Sequence, residues 1–531
     1  MNFLNKKIIH KGCFLSLTTL FILWIILLYF LYPGFQELRH YHPLWLVHHL
    51  YPMYYILIGF FLLLFLIIIY KKIQSQIINI LFLSLFSLVI YGTPYFVSTY
   101  ARFPDTISII SNILELPYIF LNNPNAYASN FPASYIFFKI INITTNLDLF
   151  YFARIIFSPL CLISIIILWY IFVSKLINPQ VGLISSMLII PTQIIEISIT
   201  PNSFSILLIL ILLICCVKPI EFMRKKEATT KYEVLFIFTF GVLILSHPIN
   251  AGILLLMLFI FYISNHLFKI ERFIISLQNL ILYSILWISW LIYLTLTGKS
   301  IVKLLYNMIS TNSQELNVGI QYSLGNTGFI YLFIDQLSAF KYILYGFFTL
   351  IILVYLISSL CYNKKISEFQ LPLSFLILSG FLICITFLNL IRGGSDIQNI
   401  LSRTLNFAMY SLSTFIAFFI PSVIDSKTKV TKFVEILFVL LLSFTLLTYP
   451  VYSFARDAYI NYPTSEEKGR SFSNEYTLGE RNSIIEMSKS KSFYSFMYGK
   501  IPYEGIMNDH KKIMNDNKIY SNNWYNIGVR T

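Results

Sequence analysis

The sequence predicts an all-α polytopic integral membrane protein of about thirteen transmembrane helices. Three observations lead there: little charge, long apolar runs, and basic residues concentrated mainly in the short connections of one face. Charged residues make up 12% of the 531, against about 25% in soluble domains. Hydrophobic residues reach 57% and the mean hydropathy is +0.73. Apolar runs near the ~20-residue length that crosses a bilayer as helix recur along most of the chain. This excludes a soluble enzyme, a nucleic-acid binder and a disulfide-stapled secreted domain. It equally excludes an outer-membrane barrel, whose strands would be shorter and would alternate apolar with polar residues. The formal charge of +14 is then read from where the basic residues lie.

The first run, 13–32, is long for a signal-peptide core and no small-residue cleavage site follows, so it reads as a retained span. With 52–70 it forms an N-terminal transmembrane hairpin over residues 1–76. Further spans near 77–92, 147–174, 180–195, 202–217, 233–247, 250–267, 276–297, 338–360, 371–391, 400–421 and 433–453 make a transmembrane module over 77–453. Basic residues fall on every second connection: Lys6, Lys7 and Lys11; Lys71 and Lys72; Lys175; Lys218, Arg224, Lys225, Lys226 and Lys231; Lys269 and Arg272; Lys364 and Lys365; Lys427, Lys429 and Lys432. The bias of Lys and Arg makes that side cytoplasmic. The N-terminus is then cytoplasmic, the C-terminus extracytoplasmic, and the protein a multi-pass component of the plasma membrane. Long external connections occur at 93–146, 298–337 and 454–531, and function is expected there. The tail from Arg456 on holds 11 basic and 9 acidic residues. That mixed charge suits a small ordered cap rather than a polyelectrolyte arm. The six cysteines (Cys13, Cys161, Cys215, Cys216, Cys361 and Cys384) lie in or beside apolar spans without paired spacing and read as small hydrophobes.

Within 93–146, Ile107, Ile110, Ile113 and Leu114 alternate with Ser108, Ser111 and Asn112, the pattern of a short helix lying in the membrane interface. A second short apolar stretch, Tyr135 to Ile143, follows Asn130-Phe-Pro132. This places Arg102, Asp105 and Glu115 at the external membrane surface. An Asp just ahead of an apolar-periodic run is a favoured N-cap. The same carboxylate could also take a proton from a hydroxyl nucleophile. Arg102, three residues upstream, could hold a phosphate bidentately or simply pair with Asp105.

Arg102-Phe-Pro-Asp105, the amphipathic helix to Glu115-Leu-Pro, Tyr127, and Asn130-Phe-Pro132 with Tyr135 resemble the first external loop of GT-C fold glycosyltransferases. The pattern is similar to the lipid A aminoarabinose transferases and protein O-mannosyltransferases, and closer to archaeal multi-spanning proteins with an Arg-x-x-Asp loop. The resemblance covers roughly residues 77–270 and the general layout. It implies a sugar transferred from a polyprenyl phosphate to a hydroxyl of a lipid-linked glycan, polysaccharide or protein, with Asp105 as catalytic base and basic residues on the donor phosphate. Tyr127 and Tyr135 would shape the acceptor groove, and one displacement would invert the anomeric carbon. Two spans precede the loop that the resemblance does not require. The six tryptophans never adjoin, which argues against block transfer of an oligosaccharide to asparagine. A flippase or transporter of lipid-linked sugars, or a surface polysaccharide polymerase, would share the many spans and the few membrane-facing charges.

Charges at membrane depth are costly and mark functional candidates. Arg154, Glu196, His247-Pro248, Arg392-Gly-Gly-Ser-Asp396 and Arg403 all fall on the external side of the same topology. An Arg beside the flexible Gly393-Gly394 could approach a leaving phosphate closely, so Arg392 and Arg403 are expected to bind it. Glu115, Glu196, His247 and Asp396 complete the candidate substrate-binding set. The plainer alternatives are that Arg154 and Arg403 snorkel to head groups, that Glu196 pairs with one of them, that His247-Pro248 ends a helix, and that Gly393-Gly394 makes a turn. His40, His42, His48 and His49 lack a helical pair and a nearby Cys or Asp, and suit an interfacial belt beside Tyr41, Trp45 and Tyr51. No cofactor is expected, and a single Asp without a partner acid gives no basis for demanding a divalent metal. Expected partners are the polyprenyl-phosphate sugar donor, its acceptor and membrane lipids, with no nucleic acid.

Overall fold

The computed structural model describes residues 3–37, 52–97, 131–147, 149–192, 199–217, 226–268, 276–296, 342–354, 370–392, 395–425, 429–461, 493–494, 518–521 and 526–529, with isolated positions at 109, 110, 112–114, 116, 128 and 357. The main helices among them are α1 (Phe3–Glu37), α2 (Pro52–Tyr70), α3 (Gln76–Ser87), α4 (Pro132–Thr145), α5 (Ser158–Leu176), α6 (Pro179–Ile189), α7 (Pro201–Cys216), α8 (Lys226–Ser246), α9 (Pro248–Phe268), α10 (Leu277–Leu296), α11 (Tyr342–Val354), α12 (Gln370–Arg392), α13 (Ser395–Asp425) and α14 (Lys429–Asn461). In the tail, β1 (Phe493–Tyr494), β2 (Lys518–Ser521) and β3 (Asn526–Val529) form an antiparallel sheet in the order β1-β3-β2.

Among the described residues, seven helical segments are long and apolar enough to cross a membrane: Ile9–Tyr29, Pro52–Tyr70, Ile155–Leu176, Pro248–Phe268, Leu277–Leu294, Arg403–Pro421 and Lys432–Tyr449. Six shorter apolar helices, of 10–17 residues, lie on the remaining expected spans. These are the helices of a multi-pass membrane protein. α4, with Ser134, Tyr135 and Phe138 buried and Ile136, Ile140 and Ile143 exposed, is the short apolar stretch of the first long connection.

Contacts between helix ends agree with the alternation of basic connections. At one end, the Tyr70 hydroxyl at the close of α2 donates to Glu435 near the start of α14, and Gln180 at the start of α6 donates to the Ile69 carbonyl at 3.4 Å. Asn79, early in α3, donates to the Tyr170 hydroxyl late in α5 at 3.2 Å. At the opposite end, Tyr91 in the helical turn after α3 donates to the Ile190 carbonyl beyond α6 at 2.5 Å. The first set lies beside Lys71, Lys72 and Lys175 and is called here the basic end. The second lies beside the connection 93–146 and is called the loop end.

α6 sits in the middle of the bundle, with every residue from Val181 to Thr192 buried. Lipid tails are as apolar as leucine, so helices in a bilayer associate through close packing and hydrogen bonds rather than through hydrophobic burial. α6 uses both. A Cβ on Gly182 would stand 2.2 Å from Ser174 Oγ and 3.0 Å from the Tyr170 carbonyl, so α5 and α6 approach closely there. One layer up, Trp169 Nε1 of α5 donates to Ser185 Oγ at 2.9 Å, and Ser185 shares a 2.9 Å hydrogen bond with Thr414 of α13. The five described cysteines are free; Cys13, Cys161 and Cys216 are buried and Cys384 is exposed.

Candidate functional site at the loop end

Two widened turns frame the first long connection. α3 passes through a π-turn at Leu88–Gly92 into Thr93–Val97, and a second π-turn at Phe152–Phe157 precedes α5. Such turns release a carbonyl from the regular ladder. In the first, the Val89 carbonyl accepts from the Tyr54 hydroxyl at 3.1 Å and from Thr93 Oγ1 at 2.6 Å. Trp24 Nε1 of α1 then donates to Thr93 Oγ1 at 3.0 Å. In the second, Ser158 Oγ donates to the Ala153 carbonyl at 2.7 Å. The turn Thr93–Val97 touches the second π-turn, so entry to and exit from the connection meet. The N-terminal hairpin is thereby joined to the base of the loop.

Between them, the described positions 109, 110, 112–114 and 116 are helical, with Ile110, Ile113 and Leu116 buried. Lys139 of α4 reaches back to the Leu114 carbonyl at 2.9 Å, and partial burial lowers its pKa from the usual lysine value. Arg102, Asp105, Glu115 and Tyr127 lie outside the described residues, as do Glu196 and the four histidines at 40, 42, 48 and 49. Arg392 closes α12 and Asp396 is the second residue of α13, but their side chains lie outside the described set, as does that of Arg154 in the second π-turn. Tyr135 is 1% exposed, on the inner face of α4.

The charge of Arg403 acts on the imidazole of His247, 156 positions away in the sequence. His247 is 2% exposed between α8 and α9. Its backbone N–H donates to Leu243 and its carbonyl accepts from Ala251, so the chain turns directly from one helix into the next. The imidazole caps α9 in place of the Ser, Thr, Asp or Asn usual there: Nδ1 accepts from the Asn250 backbone N–H at 3.4 Å. An acceptor at Nδ1 leaves the proton on Nε2. Burial, and then the charge of Arg403, hold the imidazole well below its usual value of 6.5, so it is neutral at physiological pH. The Phe131 ring, just before α4, stacks on the imidazole with centroids 5.9 Å apart and planes 12° from parallel. Pro132 at the first helical position sets the direction in which α4 departs.

The histidine therefore ends one helix and caps the next, as its plainer reading has it, and it also stands in a polar cluster. Asn250, one helical turn on, is fully buried and donates through Nδ2 to Asn202 Oδ1 at 2.9 Å and to Ser205 Oγ at 2.5 Å, both on α7. Thr200 caps α7 by accepting from the Ser203 N–H at 3.1 Å. Near Arg403, Thr404 of α13 and Thr386 of α12 share a buried 2.9 Å hydrogen bond. Sequence reasoning passed over Asn202, Ser205, Asn250 and Phe131. A signal was present, since Thr200-Pro-Asn202 and His247-Pro-Ile-Asn250 each set an asparagine in the first turn behind a proline at the start of an apolar span. Among the described residues no three His, Cys, Asp or Glu side chains gather as a metal site would require.

No family model matches the chain, and no curated protein matches it. Solved structures to which the chain is similar include the following two. One is the archaeal oligosaccharyltransferase AglB from Archaeoglobus fulgidus, in complex with an inhibitory peptide and a dolichol-phosphate; it is 15% identical with a TM-score of 0.38, over 82% of this chain and 61% of that one. The other is the Archaeoglobus fulgidus oligosaccharyltransferase in the apo form, 14% identical with a TM-score of 0.36, over 82% of this chain and 62% of that one. The chain thus spans about three fifths of the length of either.

Proposed function

We propose that the protein is a GT-C-like membrane glycosyltransferase that moves a monosaccharide from a polyprenyl phosphate to a hydroxyl of a lipid-linked glycan, polysaccharide or protein, with all thirteen apolar helices crossing the membrane and the loop end extracytoplasmic. One observation supports the reading. A buried imidazole, stacked on Phe131 at the start of α4 and held below its usual pKa by burial and then by the charge of Arg403, lies at the end of the bundle that also bears the Arg102-Phe-Pro-Asp105 connection. A guanidinium in a low-dielectric setting neutralises a leaving phosphate, and a neutral Nε2–H adds a donor without adding repulsion between two cations.

In this reading the Asp105 carboxylate removes the proton from the acceptor hydroxyl as its oxygen attacks the anomeric carbon. The bond from that carbon to the phosphate oxygen breaks, and the polyprenyl phosphate departs with the electron pair, held by Arg403 with Arg102 and Arg392. One displacement inverts the anomeric centre. Tyr127 and Tyr135 border the acceptor side, and Glu115, Glu196 and Asp396 complete the substrate-binding set.

Transfer of labelled sugar from polyprenyl-phosphate donors to membrane lipids and glycans, with the purified protein in liposomes, tests this. The Asp105→Asn protein should fold and bind donor yet lose activity by about 10²–10⁴-fold, the usual worth of a positioned base. If neither protein transfers sugar while both carry the labelled lipid across the bilayer, the protein is a flippase instead.

A further inference from the structure

Asn250 is a fully buried polar side chain at the loop end, and half of its carboxamide is unused. Its Nδ2 spends both protons, on Asn202 Oδ1 and Ser205 Oγ. Ser205 in turn donates its hydroxyl proton to the Asn202 carbonyl at 2.7 Å. The Asn250 Oδ1 is buried and accepts nothing from the protein. A buried carbonyl oxygen without a donor is unfavourable, and native structures retain few of them without a functional reason. The residue stands one turn beyond His247, whose ring Phe131 covers. Asn202 is only partly buried and forms the open side of the cluster.

The chemistry of the set selects its ligand. Two carboxamides and a hydroxyl offer paired donors and acceptors without net charge, and no carboxylate is present among the described members to hold a cation. Adjacent hydroxyls of a sugar ring, each both donor and acceptor, match such groups, and the neighbouring aromatic faces suit the ring's C–H surface. Arg403, near the imidazole, supplies the anion-binding side. We propose that Asn250, Asn202 and Ser205 form the subsite for the hydroxyls of the transferred sugar, with its phosphate toward Arg403. This rests on the glycosyltransferase reading above. When the part-exposed Asn202 turns its carboxamide to the ligand, Asn250 is released to do the same, and a sugar O–H donates to its free Oδ1.

The test is equilibrium binding to the full-length protein in nanodiscs. The probes are dolichyl phosphate alone and dolichyl phosphate bearing mannose, glucose or N-acetylglucosamine. Wild type should bind one sugar-bearing lipid more tightly than the bare lipid. Asn250→Ala should weaken that lipid about tenfold, the worth of one buried hydrogen bond, and leave bare dolichyl phosphate unchanged. Asn202→Ala, at a part-exposed position, should act in the same direction and serves if Asn250→Ala does not fold, while Arg403→Gln should weaken every lipid. Equal loss for bare and sugar-bearing lipid in the two Asn variants, or no loss in either, would overturn the subsite while leaving the glycosyltransferase reading to its transfer assay. A wild type that prefers none of the sugar-bearing lipids overturns the subsite as well. If it binds none of the dolichyl lipids, the subsite falls, while the wider reading stays with its transfer assay.

Discussion

His247 shows at a single residue how packing gives an ordinary side chain a specialised state. Enclosed under Phe131 and held neutral by burial and by Arg403, it has a folded pKa below its unfolded value near 6.5. The unfolded chain therefore takes up the proton first, so full stability holds above about pH 6.5 and is lost progressively as pH falls below it. The melting midpoint of the wild type in detergent should drop more steeply between pH 7 and pH 5 than that of His247→Gln. Equal slopes would put the imidazole in water. Arg403→Gln should also flatten the slope, because removing the neighbouring charge moves the folded pKa back toward the unfolded one.

At the scale of elements, the close approach of α5 and α6 and the frame around the first π-turn each rest on few atoms. Gly182→Leu would drive a side chain into Ser174 and the Tyr170 backbone, a steric cost of about 1–3 kcal/mol. A lowered melting midpoint would register it, and an unchanged one would mean that the two helices are looser than their separation indicates. Around the π-turn, Trp24→Phe removes one hydrogen bond, worth about 0.6 kcal/mol in membrane proteins. Thr93→Val removes that bond together with the one to Val89. The two losses should be less than additive in a double-mutant cycle, since both variants delete the same Trp24–Thr93 contact. Strict additivity would show that the contact does not form in solution.

For the molecule as a whole, the pairing of helix ends makes a topological prediction. In a cysteine-free background in sealed cells, a cysteine at Asn146 or Ser471 should react with a membrane-impermeant maleimide. One at Lys72 or Lys429 should react only after permeabilisation. The opposite pattern would invert the protein, and labelling of Asn146 and Ser471 from different sides would refute the thirteen crossings. Most of the helical layout was legible beforehand, because a bilayer demands apolar runs of nearly fixed length and Lys and Arg mark alternate ends. The site was legible only in part. His247 and Arg403 stood out as charges beside apolar spans, whereas Asn202, Ser205 and Asn250 resemble any polar residue near a helix start, and nothing local links positions some fifty apart.

The sequence by itself determined that the chain is built of apolar helices and roughly where along the chain they lie. All of this follows from local composition, since each helix satisfies its own backbone hydrogen bonds and the membrane rewards only total apolarity. The tertiary structure decided which polar groups meet: Trp24 with Thr93, Ser185 with Thr414, Asn250 with Asn202, and His247 with Phe131 and Arg403. These are partnerships between distant helices, set by close packing at small residues and by the need of each buried polar group for a partner, and periodicity along one strand of sequence carries no record of them.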